Sequence, residues 1–206
     1  YYAPAGGFTA NDWKPPAGTV NGRTFKVEVW ARDKANNTSL IQSNSFIYDD
    51  VKPNSLIKQP NLANLNSLTA ITGTASDAVS AITNVQLRLQ DLTYPATYWN
   101  GSEWGAFTGE ARWFNVTSPG NIWTYTIAYE TNVWTDGREY QLNSRAIDAG
   151  NNVGDPSTTV GFKYDKTNPV SYISVPQSGW RKTFGTVSGT AVDPVPGTGP
   201  NASGID

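Results

Sequence analysis

The feature that most limits what this chain can fold into is that it repeats itself. At an offset of 115 positions, Gly22-Arg23 falls on Gly137-Arg138, Ala31 on Ala146, Asp33 on Asp148 and Asn36-Asn37 on Asn151-Asn152. At an offset of 116 the match continues through Phe46/Phe162, Tyr48-Asp49/Tyr164-Asp165, Pro53/Pro169, Ser55/Ser171, Ile57/Ile173 and Pro60/Pro176. It ends in Gly73-Thr74-Ala75/Gly189-Thr190-Ala191, Asp77/Asp193 and Val79/Val195. The one-residue slip lies between Asn37 and Phe46, where lengthening a loop costs little. The unit is about 115 residues, the length of one ordinary domain. Residues 1–52 then read as the C-terminal part of one repeat, 53–168 as a complete repeat and 169–206 as the N-terminal part of a third. The third copy reaches Ser203-Gly204-Ile205-Asp206, which matches the stretch before a strong strand in the complete copy. The expectation is a window cut from a much longer polypeptide.

Composition removes whole classes of chemistry. The 206 residues contain no Cys and no His, so thiolate and imidazole metal sites, Cys nucleophiles and His-based triads are absent. With no disulfide to staple it, the chain suits a bacterial surface protein better than an animal secreted module. A formal net charge of −2 offers no basic field for nucleic acid or anionic lipid. No segment approaches the roughly 18 consecutive apolar residues of a membrane helix. A chain rich in Thr, Ser, Asn, Gly, Pro and large aromatics, and only 16% charged, suits short strands and turns.

The complete repeat reads as strands throughout. Leu68 to Ala75 is β-rich, and Val85, Leu87 and Leu89 alternate with Gln86, Arg88 and Gln90 as in a half-buried antiparallel strand. Asn100-Gly101, between Tyr98-Trp99 and Trp104, signals a hairpin turn because both residues tolerate positive φ. Ala111 to Val116 and Ile122 to Tyr129 read as strands, the second with Trp123, Tyr125, Ile127 and Tyr129 on one face. Tyr140, Leu142, Ser144 and Ala146 form another, and Val160, Phe162 and Tyr164 the last. Strands at this spacing predict a β-sandwich. Asp136-Gly137 turns the chain ahead of Tyr140, a placement that resembles a tyrosine corner, in which the hydroxyl bonds backbone upstream. The earlier copy has Phe25 there, so the hydroxyl is optional.

Arg145-Ala146-Ile147-Asp148-Ala149-Gly150-Asn151-Asn152, then Tyr164-Asp165 and Asn168-Pro169, then Val187-Ser188-Gly189-Thr190-Ala191, resemble bacterial immunoglobulin-like repeats of large surface and secreted proteins. The resemblance covers nearly the whole chain. It implies an all-β fold of tandem immunoglobulin-like β-sandwich repeats, acting as an extracellular or cell-surface spacer in a stalk, adhesin or filament. It also implies Ca²⁺ at repeat junctions, for which Asp148, Asn151, Asp165, Asn168 and Asp193 are the candidate ligands, with Asp33, Asn36, Asp49 and Asp77 as equivalents in the earlier copy. Hard oxygen donors suit that ion, although Asp and Asn also serve as turn residues. The short linkers at Val51-Lys52-Pro53 and Thr167-Asn168-Pro169 are expected to hold neighbouring repeats end to end.

Trp99, Trp104, Trp113, Trp123 and Trp134 crowd one stretch. Most are expected to fill the core of a chain poor in Leu and lacking Met, with Trp123 and Trp134 the surest. Trp99 and Trp104, on either side of the hairpin turn, are expected to be the most exposed and to be the candidate ligand-binding residues for a glycan or host surface. Glu103, Glu110 and Glu130 lack the facing arrangement that glycoside hydrolysis needs, and no Ser-x-x-Lys pattern activates a nucleophile. The Asn-x-Ser/Thr sequons at Asn36, Asn37, Asn100, Asn115 and Asn201 follow from composition. The expectation is a non-enzymatic structural repeat whose partners are neighbouring repeats of the same polypeptide, and glycans or other surface subunits in an adhesive alternative. An ancillary domain of a secreted hydrolase is the third alternative.

Overall fold

The computed structural model describes residues 18, 20–94, 96–116 and 121–194. The match at Val195, the sequon at Asn201 and the stretch Ser203-Gly204-Ile205-Asp206 fall outside those residues.

The described chain is nearly all-β. Strands β1 (Thr24–Val29) and β2 (Gln42–Ile47) form an antiparallel hairpin. There follow β3 (Asn54–Gln59), β4 (Asn64–Leu65), β5 (Ala70–Ser76), β6 (Ile82–Asp91), β7 (Thr97–Trp99), β8 (Trp104–Gly105), β9 (Phe114–Val116) and β10 (Ile122–Thr126). A single helical turn, α1 (Glu130–Val133), precedes β11 (Arg138–Asp148) and β12 (Val160–Tyr164), and a second hairpin is built from β13 (Val170–Val175) and β14 (Ser188–Val192).

Between the two hairpins, strands β3 to β12 make two sheets on one core, as in a sandwich. One sheet runs β10-β5-β3; the other runs β4-β12-β11-β6-β7-β8, with β9 also on β6. The alternation read from β6 is what places its side chains. Val85, Leu87 and Leu89 point inward with no exposed surface, and β11 adds Leu142 and Ala146 from the adjoining strand. Ile71 and Trp123 face them from the smaller sheet, joined by Phe162 and Tyr164 of β12. Even the inward Ser55 of β3 is satisfied, its hydroxyl 2.8 Å from that of Ser144. Gly73 has no freedom to be anything larger. A Cβ there would strike both the Leu56 carbonyl on β3 and the Trp123 ring on β10.

Two expected strands are shorter than their sequences suggested. Ala111–Arg112 lie in a 3-10 turn, Gly109–Arg112, and only Phe114–Val116 pairs as strand. Gly109 has φ +55° and turns the chain, after which Trp113 lies 5.1 Å from the Arg88 guanidinium and 4.4 Å from that of Arg145. These long-range stacks hold the segment on the outer face of the larger sheet. β10 stops at Thr126 rather than Tyr129, and Tyr129 is 72% exposed. The chain turns there because Glu130 accepts hydrogen bonds from the Ser67 hydroxyl at 2.8 Å and from the Leu68 backbone N–H.

Local geometry recurs at the spacing found in the sequence. Gly22 and Gly137 both have φ near +80°, and each donates its N–H over 2.8 Å to the carbonyl of Tyr48 and Tyr164 respectively. Phe25 and Phe46 stack with ring centroids 5.5 Å apart, and Tyr140 and Phe162 meet at 5.6 Å with their rings tilted by 30°. The register of β3 with β5 slips between Ile57 and Gln59, and that of β13 with β14 between Ile173 and Val175. The Tyr140 hydroxyl accepts the Thr135 N–H at 2.8 Å, an upstream backbone bond of the expected kind.

Candidate metal centre

Three carboxylates from separate parts of the chain converge at one end of the two-sheet unit. Asp148 is the last residue of β11, Asp77 opens the loop after β5, and Asp49 lies in the segment joining β2 to β3. One oxygen of each lies within 4.8 Å of one from the other two. Two ligands held by a calcium-sized ion at about 2.4 Å stand at most about 4.8 Å apart, so the spacing fits an oxygen-preferring divalent cation.

The backbone around the three residues explains their orientation. Asp148 is 2% exposed; its Oδ1 accepts the Asn152 N–H at 2.8 Å and its Oδ2 the Asn152 side-chain amide at 3.0 Å. Asn151, with φ 64°, makes the left-handed turn that brings Asn152 back. Gly150 leaves room for the approach: a Cβ there would lie 2.9 Å from Asn152 Nδ2 and 3.3 Å from the Asp49 Cβ. Asp77 Oδ1 accepts the N–H groups of Val79 and Ser80 at 2.7 and 2.9 Å, and Asp49 Oδ1 that of Val51 at 3.0 Å. The second oxygens, Asp49 Oδ2 and Asp77 Oδ2, are removed from solvent and accept no hydrogen bond. A buried carboxylate oxygen without a donor is costly, and a cation supplies what the protein does not. The residues present therefore fit such an ion, with Asp49, Asp77 and Asp148 as its carboxylate ligands.

The same loop chemistry stands at Asp33. Its carboxylate accepts the Asn37 N–H at 2.9 Å and the Asn37 side-chain amide at 2.8 Å, as Asp148 does from Asn152. The Asn37 side-chain bond is the main cause holding the Asp33 carboxyl below its ordinary pKa, with backbone N–H bonds adding to it. Asn152 Nδ2 also donates to the Asp49 carbonyl at 3.1 Å. Beside it Lys52 Nζ meets Asp155 at 2.8 Å.

The candidate ligands named from sequence divide between two places. Asp148 and Asn151 lie at the end of β11 just described. Asp165 follows Tyr164, which pairs with Arg138 at the opposite end of β11, roughly 30 Å away at about 3.3 Å per residue. Asp148, Asn151 and Asp165 therefore do not converge, because antiparallel strands carry residues close in the pattern to opposite ends. The Asn151 side chain is not part of the cluster; its backbone makes the turn. Asn168 is exposed, and Asp165 and Asp193 stand in the sequence register of Asp49 and Asp77. Asp49 and Asp77 were legible only as equivalents in the earlier copy.

Trp99 and Trp104 correct the other expectation. Trp99 is 5% exposed and Trp104 packs against the same core. Their indole N–H groups are occupied within the fold, donating to the Tyr125 hydroxyl at 3.2 Å and the Val133 carbonyl at 3.0 Å. The β7–β8 hairpin folds back over the sandwich, bringing Trp104 to 5.6 Å from Tyr140. Trp99 is thus buried and Trp104 half-buried, where both were expected to be the most exposed of the five. Trp123 and Trp134 are buried as expected. Among the carboxylates, Glu110 pairs with Arg145, whose hydrogen bond and charge lower its pKa, and Glu130 is committed to the turn at Ser67-Leu68. No family model matches the chain, and no curated protein matches it.

Proposed function

We propose that this chain is a stretch of tandem immunoglobulin-like β-sandwich repeats, and that it works as a non-enzymatic mechanical spacer in a surface or secreted bacterial protein. The single observation that carries the proposal is the pairing of local geometry with sequence offset. The Asp33–Asn37 cage, the Gly22 turn and the Phe25–Phe46 ring pair reappear as the Asp148–Asn152 cage, the Gly137 turn and the Tyr140–Phe162 ring pair. Repeats of this kind keep their own cores and meet through short junctions, so length grows with copy number.

In this proposal Asp49 belongs to one repeat, and Asp77 and Asp148 to the next. A calcium-type ion held by all three joins neighbours that, among the described residues, also share the Asn152–Asp49 and Lys52–Asp155 bonds. The extracellular setting supplies such an ion, and binding it to the folded junction alone stabilises that junction. Calorimetry with calcium and with a chelator tests the proposal. A calcium-dependent rise in melting temperature that Asp77→Asn abolishes supports it; equal melts in both buffers contradict the ion-joined junction.

A further inference from the structure

Among the described residues, the Lys163 ammonium is the one cation that is removed from solvent and makes no hydrogen bond. Lys163 is 6% exposed, and none of the ion pairs among the described residues includes it. The alternation that turns Phe162 and Tyr164 into the core puts Lys163 on the outer face of the larger sheet. There it stands between two polar neighbours, Asn64 on β4 and Glu139 on β11. A buried charge left unpaired costs stability, and an apolar residue at the same place would not.

The strand pairing itself does not demand a cation. At the offset of 116 Lys163 falls on Ile47, and at the offset of 115 Glu139 falls on Thr24. Thr24 and Ile47 are partners in β1–β2 just as Glu139 and Lys163 are in β11–β12. The same register is thus built without either charge. The ammonium answers to something other than the hairpin.

Lys163 lines an open cavity of about 390 Å³, with Ala63, Asn64, Leu92, Glu139 and Gly161 among its other walls. That volume suits a small ligand. Gly161 leaves one wall bare, since a Cβ there would meet only the Tyr140 carbonyl at 3.8 Å. Strand β4 pairs only with Lys163 and Tyr164, which leaves a short edge of β12, from Val160 to Phe162, open among the described residues. So short an edge cannot hold an extended peptide by its backbone, which disfavours a protein strand as the occupant. The polar walls instead suit a ligand with one carboxylate and several hydroxyl groups. An ammonium pairs most strongly with a carboxylate, and its flexible stem lets it meet one in the cavity. The Asn64 amide both donates and accepts, and the Glu139 carboxylate accepts, as hydroxyl groups require. We propose that this cavity is a binding site for a sugar acid, whose carboxylate pairs with Lys163 and whose hydroxyl groups bond Asn64 and Glu139. The site goes beyond the spacer proposal and does not depend on it.

Titration of sodium D-glucuronate into the isotope-labelled full chain, followed by amide NMR in calcium-free buffer, tests the site. D-glucose, which lacks the carboxylate, and sodium acetate, which lacks the hydroxyl groups, are the comparison ligands. Saturable shifts are expected at the Gly161, Lys163 and Glu139 amides. Glucuronate should bind at least about tenfold more tightly than either comparison ligand. Lys163→Ile, which installs the residue found at position 47, should abolish the preference for glucuronate over glucose and leave the spectrum elsewhere unchanged. Asn64→Ala, at an exposed position, should weaken glucuronate by about fivefold and decides the matter if the first variant does not fold. Three results would each overturn the site: no saturable shift around Lys163, acetate or glucose bound as tightly as glucuronate, or a folded variant that binds glucuronate as its parent does.

Discussion

Asn152 reaches back to Asp49 in the segment joining β2 to β3, its side-chain amide donating to the Asp49 carbonyl at 3.1 Å while also holding Asp148 Oδ2 at 3.0 Å. One amide thereby sets a carboxylate of the sandwich and ties it to the preceding segment. Asn37 holds Asp33 with the same pair of bonds, from its backbone N–H and its side-chain amide.

The carboxylate cluster makes calcium and charge opposing influences on one site. Without an ion, three carboxylates within 4.8 Å repel one another. Asp77→Asn should then melt later than the parent in chelator, by up to about 1 kcal/mol of stability, and should lose the gain that calcium gives the parent. Differential scanning calorimetry in the two buffers checks both signs. A variant less stable than the parent in chelator would mean that the Asp77 bonds to Val79 and Ser80 outweigh the repulsion.

Gly73 predicts a large loss from the smallest substitution. Its missing side chain lets β3 and Trp123 close over β5. Gly73→Ala must push one of them away, an overpacking cost of about 1–3 kcal/mol or more. Denaturant unfolding measures it. Gly161, whose Cβ would meet only the Tyr140 carbonyl at 3.8 Å, is the control and should accept Ala with little change.

Much of the architecture was legible because its signals are local. Alternation at β6 and β11, the Asn100-Gly101 turn and the placement of Tyr140 all follow from period and turn chemistry. The errors share a cause. Trp113 sits where Arg88 and Arg145 hold it, and Tyr129 is released where Glu130 caps Leu68; both partners are far away in sequence. Of the metal candidates, Asp148 lies in the carboxylate cluster and Asp165 lies away from it. Asp148 and Asp165 are close in the pattern, yet β11 and β12 run in opposite directions, so Asp148 meets Asp49 and Asp77 instead. Trp99 and Trp104 flank an exposed turn, but the hairpin folds inward, and nothing in its own residues announces that direction.

Alkaline pH tests the buried hydroxyls. Burial pushes the Tyr140 hydroxyl up from its ordinary pKa, and burial does the same to Tyr164. A raised folded pKa means that stability is fully present below the unfolded value, about 10, and is lost as pH rises through the folded one. Melting temperature should therefore fall above about pH 10. Tyr140→Phe, the residue type found at position 25, should fall less steeply. At neutral pH it should cost about 1 kcal/mol, because the Thr135 N–H loses its acceptor. Equal alkaline slopes in the two proteins would place the effect in other groups.

The central claim is that the chain is strung out as repeats rather than gathered into one body, and small-angle scattering in excess calcium measures that directly. A single compact domain of 206 residues has a radius of gyration of about 17 Å. Strung repeats predict a value clearly above about 17 Å, with a skewed distance distribution whose longest distances shorten or blur in chelator. A symmetric distribution with a radius near about 17 Å, unchanged by chelator, would contradict the account.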